Sequence, residues 1–354
     1  MPDEAVGWGP LHYAVNFRNM RVLQLLLAHP GVNVDLQNRN CERPLDTCPS
    51  PEAARALLDA GATIAAPAPG CISALHHAAY SSRDTVVDVL IARGANVRET
   101  FSARKGRQTF NLDFGGEALH LAASALKTAR AFSDCTQGLA ALRNPAGAAH
   151  TDAHTTATLR VAVVNALLRA GADVNARATM IKNLQPTALH LAAQTGDAAV
   201  IRALLAGGAS VNAVDALPGR TALSIAAHEG HTDAVYALAA GGADVSPVCD
   251  DDETRPLEFA ILQNQHAAVT ALLELGADTS QVASCLALPQ VDDAMRALLA
   301  RYVERGRAPP PARECALPGC QARRRAAYND AKLMICGACK VRRHSGSMSM
   351  TAAP

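Results

Sequence analysis

Apolar and polar positions in the second half of the chain follow a pattern that recurs every 34 residues. Each unit opens on a short phrase such as Thr187-Ala-Leu-His-Leu-Ala-Ala, continues through a second apolar stretch, and closes on a Gly-Ala phrase. Two short apolar stripes separated by a turn predict two helices per unit that share one core. The opening phrases begin at Thr187, Thr221 and Arg255, and the closing phrases begin at Gly208, Gly242 and Gly276.

Residue types at fixed places in the unit explain where these helices start and stop. A Thr or Ser before the first helix accepts hydrogen bonds from its unpaired N–H groups, and a proline fits the first helical position. Paired alanines let a neighbouring helix approach closely, and a glycine after the second helix permits a left-handed C-cap. Because one unit cannot bury its apolar face alone, we expect the units to stack into a continuous core.

The period, the opening phrase and the closing phrase together resemble the ankyrin repeat. The resemblance implies an all-α ankyrin-repeat solenoid over residues 1–303, in which stacked helix-turn-helix units carry projecting finger loops. It also implies that protein partners bind on the concave face. Units are expected near residues 7–39, 40–70, 71–98, 115–176, 184–213, 218–248 and 253–280, with a degenerate cap at 281–303.

Three stretches depart from the period. The second unit, which opens at Arg43-Pro-Leu-Asp, is shorter than the others, so we expect it to be distorted. Residues 98–116 lengthen one finger and add basic and aromatic side chains. Residues 124–160 insert about a repeat's length between the two helices of the fourth unit. The Ala-, Thr-, Gly- and Pro-rich composition of this insertion predicts a flexible loop.

Composition narrows the class of protein. Only 3% of the 354 residues are aromatic, which favours closely packed small-residue helices over a compact enzyme core. No nucleophile–base pair, glycine-rich phosphate loop or paired-carboxylate motif stands out, so we expect neither enzymatic activity nor a small-molecule substrate. No signal peptide is evident at the start, and no apolar run approaches the length of a transmembrane helix. We therefore expect a monomer without membrane contact in the cytoplasm, the nucleus or both.

The resemblance places partner contacts at the residues that follow the paired small residues of each first helix, and on the fingers. The helix-end positions are Asn16, Phe17, Tyr80, Ser81, Gln194, Thr195, His228, Glu229, Leu262 and Gln263. The finger positions are Arg177, Leu184, Gln185, Asp215 and Leu217. Among them Phe17, Tyr80 and His228 are amphipathic, and such residues favour interface hot spots. The alternative is that each of them decorates a solvated helix end.

Histidines recur in the fourth place of the opening phrase, at His12, His76, His120 and His190. We predict that they are buried and form hydrogen bonds between neighbouring loops. A metal or catalytic role is disfavoured, because stacking places equivalent positions about one repeat apart instead of bringing them to one point.

Four cysteines follow a Pro-rich linker at residues 304–314, namely Cys315, Cys320, Cys336 and Cys339. Two close pairs of thiols at this spacing predict a zinc site in a reducing compartment. Residues 315–344 resemble the first half of a MYND finger, a small two-zinc protein-interaction module, and residues 345–354 are expected to be a disordered tail. In that family the two metals interleave their ligands, so half a finger leaves each metal with two. Either the four cysteines share one Zn²⁺, or the segment does not fold.

Charge separates an acidic body from a basic end. Residues 1–300 carry 22 Lys and Arg against 29 Asp and Glu, whereas residues 301–354 carry 11 against 3. The basic residues 323–325 and 342–343 are either a solvated flank of the cysteine segment or a signal for nuclear import or weak nucleic-acid contact. The acidic run at 250–253 is either a solvated turn or a docking point for a basic partner.

These features favour a scaffold or adaptor that binds one protein on its concave face and a second through the C-terminal segment. Nucleic acid is not an expected partner, because Tyr328 is the only aromatic residue near the basic residues 323–325 and 342–343 on which a base could stack. The alternative function is the substrate-recognition arm of a ubiquitin-ligase or chromatin-modifying system.

Overall fold

A computed structural model describes residues 7–67, 72–101, 114–124, 153–180, 185–215, 219–249, 254–286 and 288–304, together with two short strands at 342–344 and 347–349. Most of the described chain is helical. The helices are α1 Pro10–Asn16, α2 Met20–Leu27, α3 Pro51–Asp59, α4 Ala74–Tyr80, α5 Asp84–Ala92, α6 Ala118–Ser124, α7 Ala153–Arg169, α8 Ala188–Thr195, α9 Ala198–Ala206, α10 Ala222–Glu229, α11 Thr232–Ala240, α12 Pro256–Leu262, α13 His266–Glu274, α14 Val282–Leu286 and α15 Asp293–Glu304.

The helices are stacked in two rows. An inner row contains α4, α6, α8, α10 and α12, each packed on the next. An outer row contains α2, α3, α5, α7, α9, α11 and α13, again in sequence. The core between the rows consists mainly of buried Leu, Val and Ala side chains. Alanines on the inner helices allow the close approach that the sequence pattern predicted, and the described part of the chain is an all-α solenoid.

The second unit has no inner helix. Residues 44–47 form a turn that is closed by Asp46. The Asp46 carboxylate accepts hydrogen bonds from the Arg43 backbone N–H at 2.8 Å and from its guanidinium at 2.9 and 3.0 Å. Pro49 and Pro51 follow at once, and a proline lacks the N–H that a helix interior needs and disfavours helical backbone before it. The distortion expected of this unit is therefore the loss of one helix.

The outer helix after the insertion begins earlier than the composition predicted. Residues 153–160 were assigned to a loop, but they form the first part of α7. Residues 125–152 lie outside the described part of the chain. Arg160 accounts for the difference, because its buried side chain donates to Asp197 Oδ2 at 2.6 Å and holds this end of α7 against the next helix pair.

The lengthened finger closes on a short antiparallel pair of strands, Phe114–Gly115 and Thr179–Met180. Phe101 pairs with Gly116 beside them. The Phe101 side chain is 3% exposed, and its ring meets the His76 ring edge-on at 5.2 Å. Phe101 is therefore a core residue, whereas residues 102–113 of this finger lie outside the described ranges.

Near the end of the chain, Arg342–His344 pairs antiparallel with Ser347–Ser349. The second of these strands falls within residues 345–354, for which no ordered structure was expected. The remaining positions after residue 304 lie outside the described ranges.

The last helices close the C-terminal end of the stack. Met295 and Leu299 of α15 are buried, and the Tyr302 hydroxyl donates to the Leu273 carbonyl oxygen at 2.8 Å. The side chains that α15 leaves exposed include Asp293, Arg301 and several alanines. A cap with a small and polar outer face is what a terminal unit needs.

The turn between inner and outer helices requires one residue with left-handed backbone. Gly196 and Gly230 fill this place with φ of 80° and 79°, and Ser82 fills it with φ of 54°. A side chain in this conformation costs about 1 kcal/mol. We therefore expect Ser82→Gly to raise the free energy of unfolding by about 1 kcal/mol in urea titrations. The matched control is Ser81→Gly, at φ of −84°, which should not stabilise the chain; equal gains in both variants would contradict this explanation.

Candidate protein-binding surface

Four buried histidines each fix a finger to the inner row. In His12, His76, His120 and His190, Nδ1 accepts from the backbone N–H three residues earlier, and Nε2 donates to a carbonyl oxygen in the following finger. The carbonyl oxygens belong to Glu42, Glu99, Ala176 and Arg220, at 3.0, 2.9, 3.0 and 3.2 Å. Burial lowers the pKa of all four rings, that of His76 to about 4. The predicted structural role of these histidines is confirmed.

Two valines form an apolar row along successive fingers. Val214 and Val248 each lie six residues after the glycine of a closing phrase, and their side chains are 43% and 53% exposed. Arg177 holds the same place in the preceding finger, and its guanidinium donates to the Val214 carbonyl oxygen at 3.0 Å. Sequence reasoning missed both valines, although the 34-residue period places them at one register.

Asp215, a predicted finger contact, is instead buried with 3% of its surface exposed. Its Oδ1 accepts from the Arg220 backbone N–H at 2.7 Å, and its own N–H donates to the Arg220 carbonyl oxygen at 3.0 Å. A carboxylate used in this way closes the finger turn and is not offered to a partner. Of the other finger candidates, Gln185 is exposed, and Leu184 and Leu217 lie outside the described ranges.

The ends of α8, α10 and α12 bring most of the predicted helix-end residues together. These three inner helices pack side by side. Gln194 and Gln263 are exposed, and the others are half-buried. The His228 ring meets Phe259 of α12 edge-on at 6.3 Å, so it links neighbouring helices. The residues of this row are Gln194, Thr195, His228, Glu229, Leu262 and Gln263.

Comparison with protein-family models assigns residues 189–283 to ankyrin repeats in three copies, and residues 6–39 to a further ankyrin repeat. These stretches are ankyrin repeats. Together with the two rows of helices, the matches confirm the predicted all-α ankyrin solenoid, and ankyrin repeats indicate a role in binding other proteins. The comparison with curated proteins gave no match.

The four remaining helix-end candidates lie apart from the row formed by the ends of α8, α10 and α12. Tyr80 is 8% exposed and belongs to the hydrophobic core. The position that it holds in its repeat is therefore buried on α4, although the same position is accessible on α8 and α10. This burial does not agree with the prediction that Tyr80 contacts a partner. Ser81 and Asn16 are half-buried. Phe17 is 51% exposed and stacks on Tyr13, with ring centroids 6.3 Å apart.

The predicted zinc ligands Cys315, Cys320, Cys336 and Cys339 lie outside the described residues, and Zn²⁺ binding by them stays a prediction. Over the described ranges, no group of three or more His, Cys, Asp and Glu side chains is arranged to hold a metal ion. In the same ranges, no helix combines the length and the apolar character that crossing a membrane requires.

Proposed function

We propose that this chain is an adaptor that binds a protein partner across the concave face of the regular ankyrin repeats at 189–283. The observation that supports the proposal is the exposure of Val214 and Val248 at one register of successive fingers, in the same repeats whose inner helices α8, α10 and α12 carry the helix-end row. The binding surface consists of the two valines and this row. Holding a partner requires no catalytic group.

The composition of this surface suits a protein interface. Interfaces usually combine apolar anchors with polar margins. This surface offers Val214 and Val248 on the fingers, and the polar groups of Gln194, Glu229 and Gln263 at the helix ends. Burying one exposed valine side chain contributes about 1.5 kcal/mol or more, which makes the valines the expected anchors. An adaptor within a ubiquitin-ligase or chromatin-modifying system would use the same surface, and no described residue favours that more specific role.

The fingers are held rigidly, which lowers the entropy lost on binding. His190 ties one finger to the inner row, and Asn212 Oδ1 accepts from the Asp244 backbone N–H of the next finger at 2.9 Å. Asn175 makes the same contact with the Ser210 N–H at 2.8 Å. These bonds between successive units keep the two valines at a constant spacing before a partner arrives.

We expect Val214→Asp combined with Val248→Asp to reduce partner capture at least tenfold, because two charges replace the apolar anchors. The measurement is quantitative mass spectrometry of proteins retained by the immobilised full chain. Thr85→Asp, an equally exposed change on the outer helix α5, is the matched control and should retain the same proteins as the unaltered chain. Thermal unfolding of both variants checks the fold. Equal capture by the double variant and the control would refute this surface.

A further inference from the structure

Among the described residues, α2 is the first helix of the outer row. The interior outer helices α5, α7, α9 and α11 each pack between two other outer helices. In the described part of the chain, α2 has an outer-row neighbour on one side only, namely α3. One flank of α2 therefore faces the place that a preceding outer helix occupies elsewhere in the array.

Residue types on that flank match the interior pattern. Counted from the residue before α5, α9, α11 and α13, the third and sixth positions are buried. In α9 the sixth residue, Ala203, lines a groove together with Leu168 of the preceding helix α7. The third positions are Val86, Val200, Ala234 and Ala268, each 1% exposed or less. The sixth positions are Val89, Ala203, Ala237 and Ala271, each 9% exposed or less. In α2, which follows Asn19, the same positions are Val22 and Leu25.

Val22 and Leu25 are 41% and 68% exposed. A terminal repeat normally carries a polar outer face for solubility, as α15 does at the other end. Here the terminal helix instead presents side chains larger than most of their interior counterparts. In each unit compared above, the residues at these two positions are buried. The apolar flank of α2 is therefore suited to receive another helix.

The charges around this flank identify what kind of helix fits. Residues 5–34 contain no Asp or Glu, whereas Arg18 and Arg21 are exposed beside Val22 and Leu25. A second copy of this chain would bring the same arginines against each other, and like charges across an interface disfavour association. We propose that the N-terminal flank of α2 binds an acidic amphipathic helix of a partner protein, which extends the outer row by one helix. This surface is separate from the concave one and does not depend on it.

The test uses the full chain and two synthetic peptides with leucine on one helical face. One peptide has glutamate on the other face, and its counterpart has lysine there. Fluorescence anisotropy should show that the glutamate peptide binds at least tenfold more tightly than the lysine peptide. Leu25→Glu should weaken binding of the glutamate peptide at least tenfold, because burial of the leucine is lost. Arg18→Gln with Arg21→Gln should weaken it severalfold at low salt and less at high salt.

Thr85→Glu is the matched control, since it places the same charge on an exposed position of another outer helix, α5, and it should leave peptide binding unaltered. Equal affinity for the two peptides, or no effect of Leu25→Glu, overturns the proposal. Sedimentation of the full chain completes the test. Self-association that Leu25→Glu abolishes would also overturn the proposal, because the occupant would then be a second copy of this chain.

Discussion

Asp197→Ser is expected to lower the free energy of unfolding by about 3 kcal/mol, although serine caps helices as well as aspartate does. Asp197 has two roles. Its Oδ1 accepts from the backbone N–H groups of Ala199 and Val200 at the start of α9, and its Oδ2 accepts from Arg160. Serine can replace the first role but not the second. The substitution therefore leaves the Arg160 guanidinium buried without a counter-charge, and such a charge is costly.

The partner substitution should have a much smaller effect. Arg160→Met keeps an unbranched side chain of similar length in the core, and it removes a guanidinium whose Nε has no acceptor among the described residues. Burial already lowers the pKa of this guanidinium, which reflects its unfavourable surroundings. Asp197 would still accept from two backbone N–H groups at a helix N-terminus, where negative charge is favourable. We expect a loss of about 1 kcal/mol.

The double variant distinguishes the ion pair from the cap. Arg160→Met should restore most of the stability that Asp197→Ser loses, because no buried charge then remains. Urea unfolding followed by far-UV circular dichroism is the appropriate measurement, because the only tryptophan, Trp8, lies in the first repeat, far along the chain from this contact. Asp233→Ser, on the exposed side of α11, is the control for loss of a carboxylate. Additive losses in the double variant would show that the pair is not the source of the effect.

The 34-residue period was sufficient to predict the regular part of the fold. From Thr187 onward each opening phrase became an inner helix, and His190 made the expected bond to the next finger. These predictions succeeded because they rest on local features, namely caps, paired alanines and a polar group at a fixed place. Val214 and Val248 were accessible to the same reasoning, since they share one register.

Three features of the fold were not predicted correctly from the sequence pattern. The phrase Arg43-Pro-Leu-Asp has the form of an inner-helix start, but the Arg43–Asp46 pair and two prolines end it as a turn. The first part of α7 has a loop-like composition, and only its contact with Asp197 explains its position. Tyr80 has the register of an exposed residue and is buried. In the first case a local ion pair and the prolines end the helix, and in the other two packing between units outweighs the local pattern.

Acid should destabilise the array through its buried histidines, among them His76 and His77, whose pKa values burial lowers to about 4 and about 3. An unfolded histidine has a pKa of 6.5, and burial lowers the pKa of His76 to about 4 in the folded chain. Below pH 6.5 the unfolded chain therefore binds a proton that the folded chain does not. The stability that neutral His76 provides is fully present above pH 6.5 and is lost as the pH falls toward 4. The pKa difference corresponds to about 3 kcal/mol, since one unit is worth about 1.4 kcal/mol.

Comparison with His76→Ser separates this effect from the carboxylates, which also titrate in acid. Serine fills the equivalent place in a later repeat, where the Ser224 hydroxyl donates to the Thr221 carbonyl oxygen at 2.8 Å, so the fold tolerates it. The variant loses the bond from His76 Nε2 to Glu99, so at pH 7.5 it should be less stable than the unaltered chain by about 2 kcal/mol. In urea titrations the difference should shrink toward zero near pH 4.5, because only the unaltered chain has His76 to protonate. A difference that is constant with pH would mean that His76 titrates normally in the folded chain, and its burial would then not be the source of acid sensitivity.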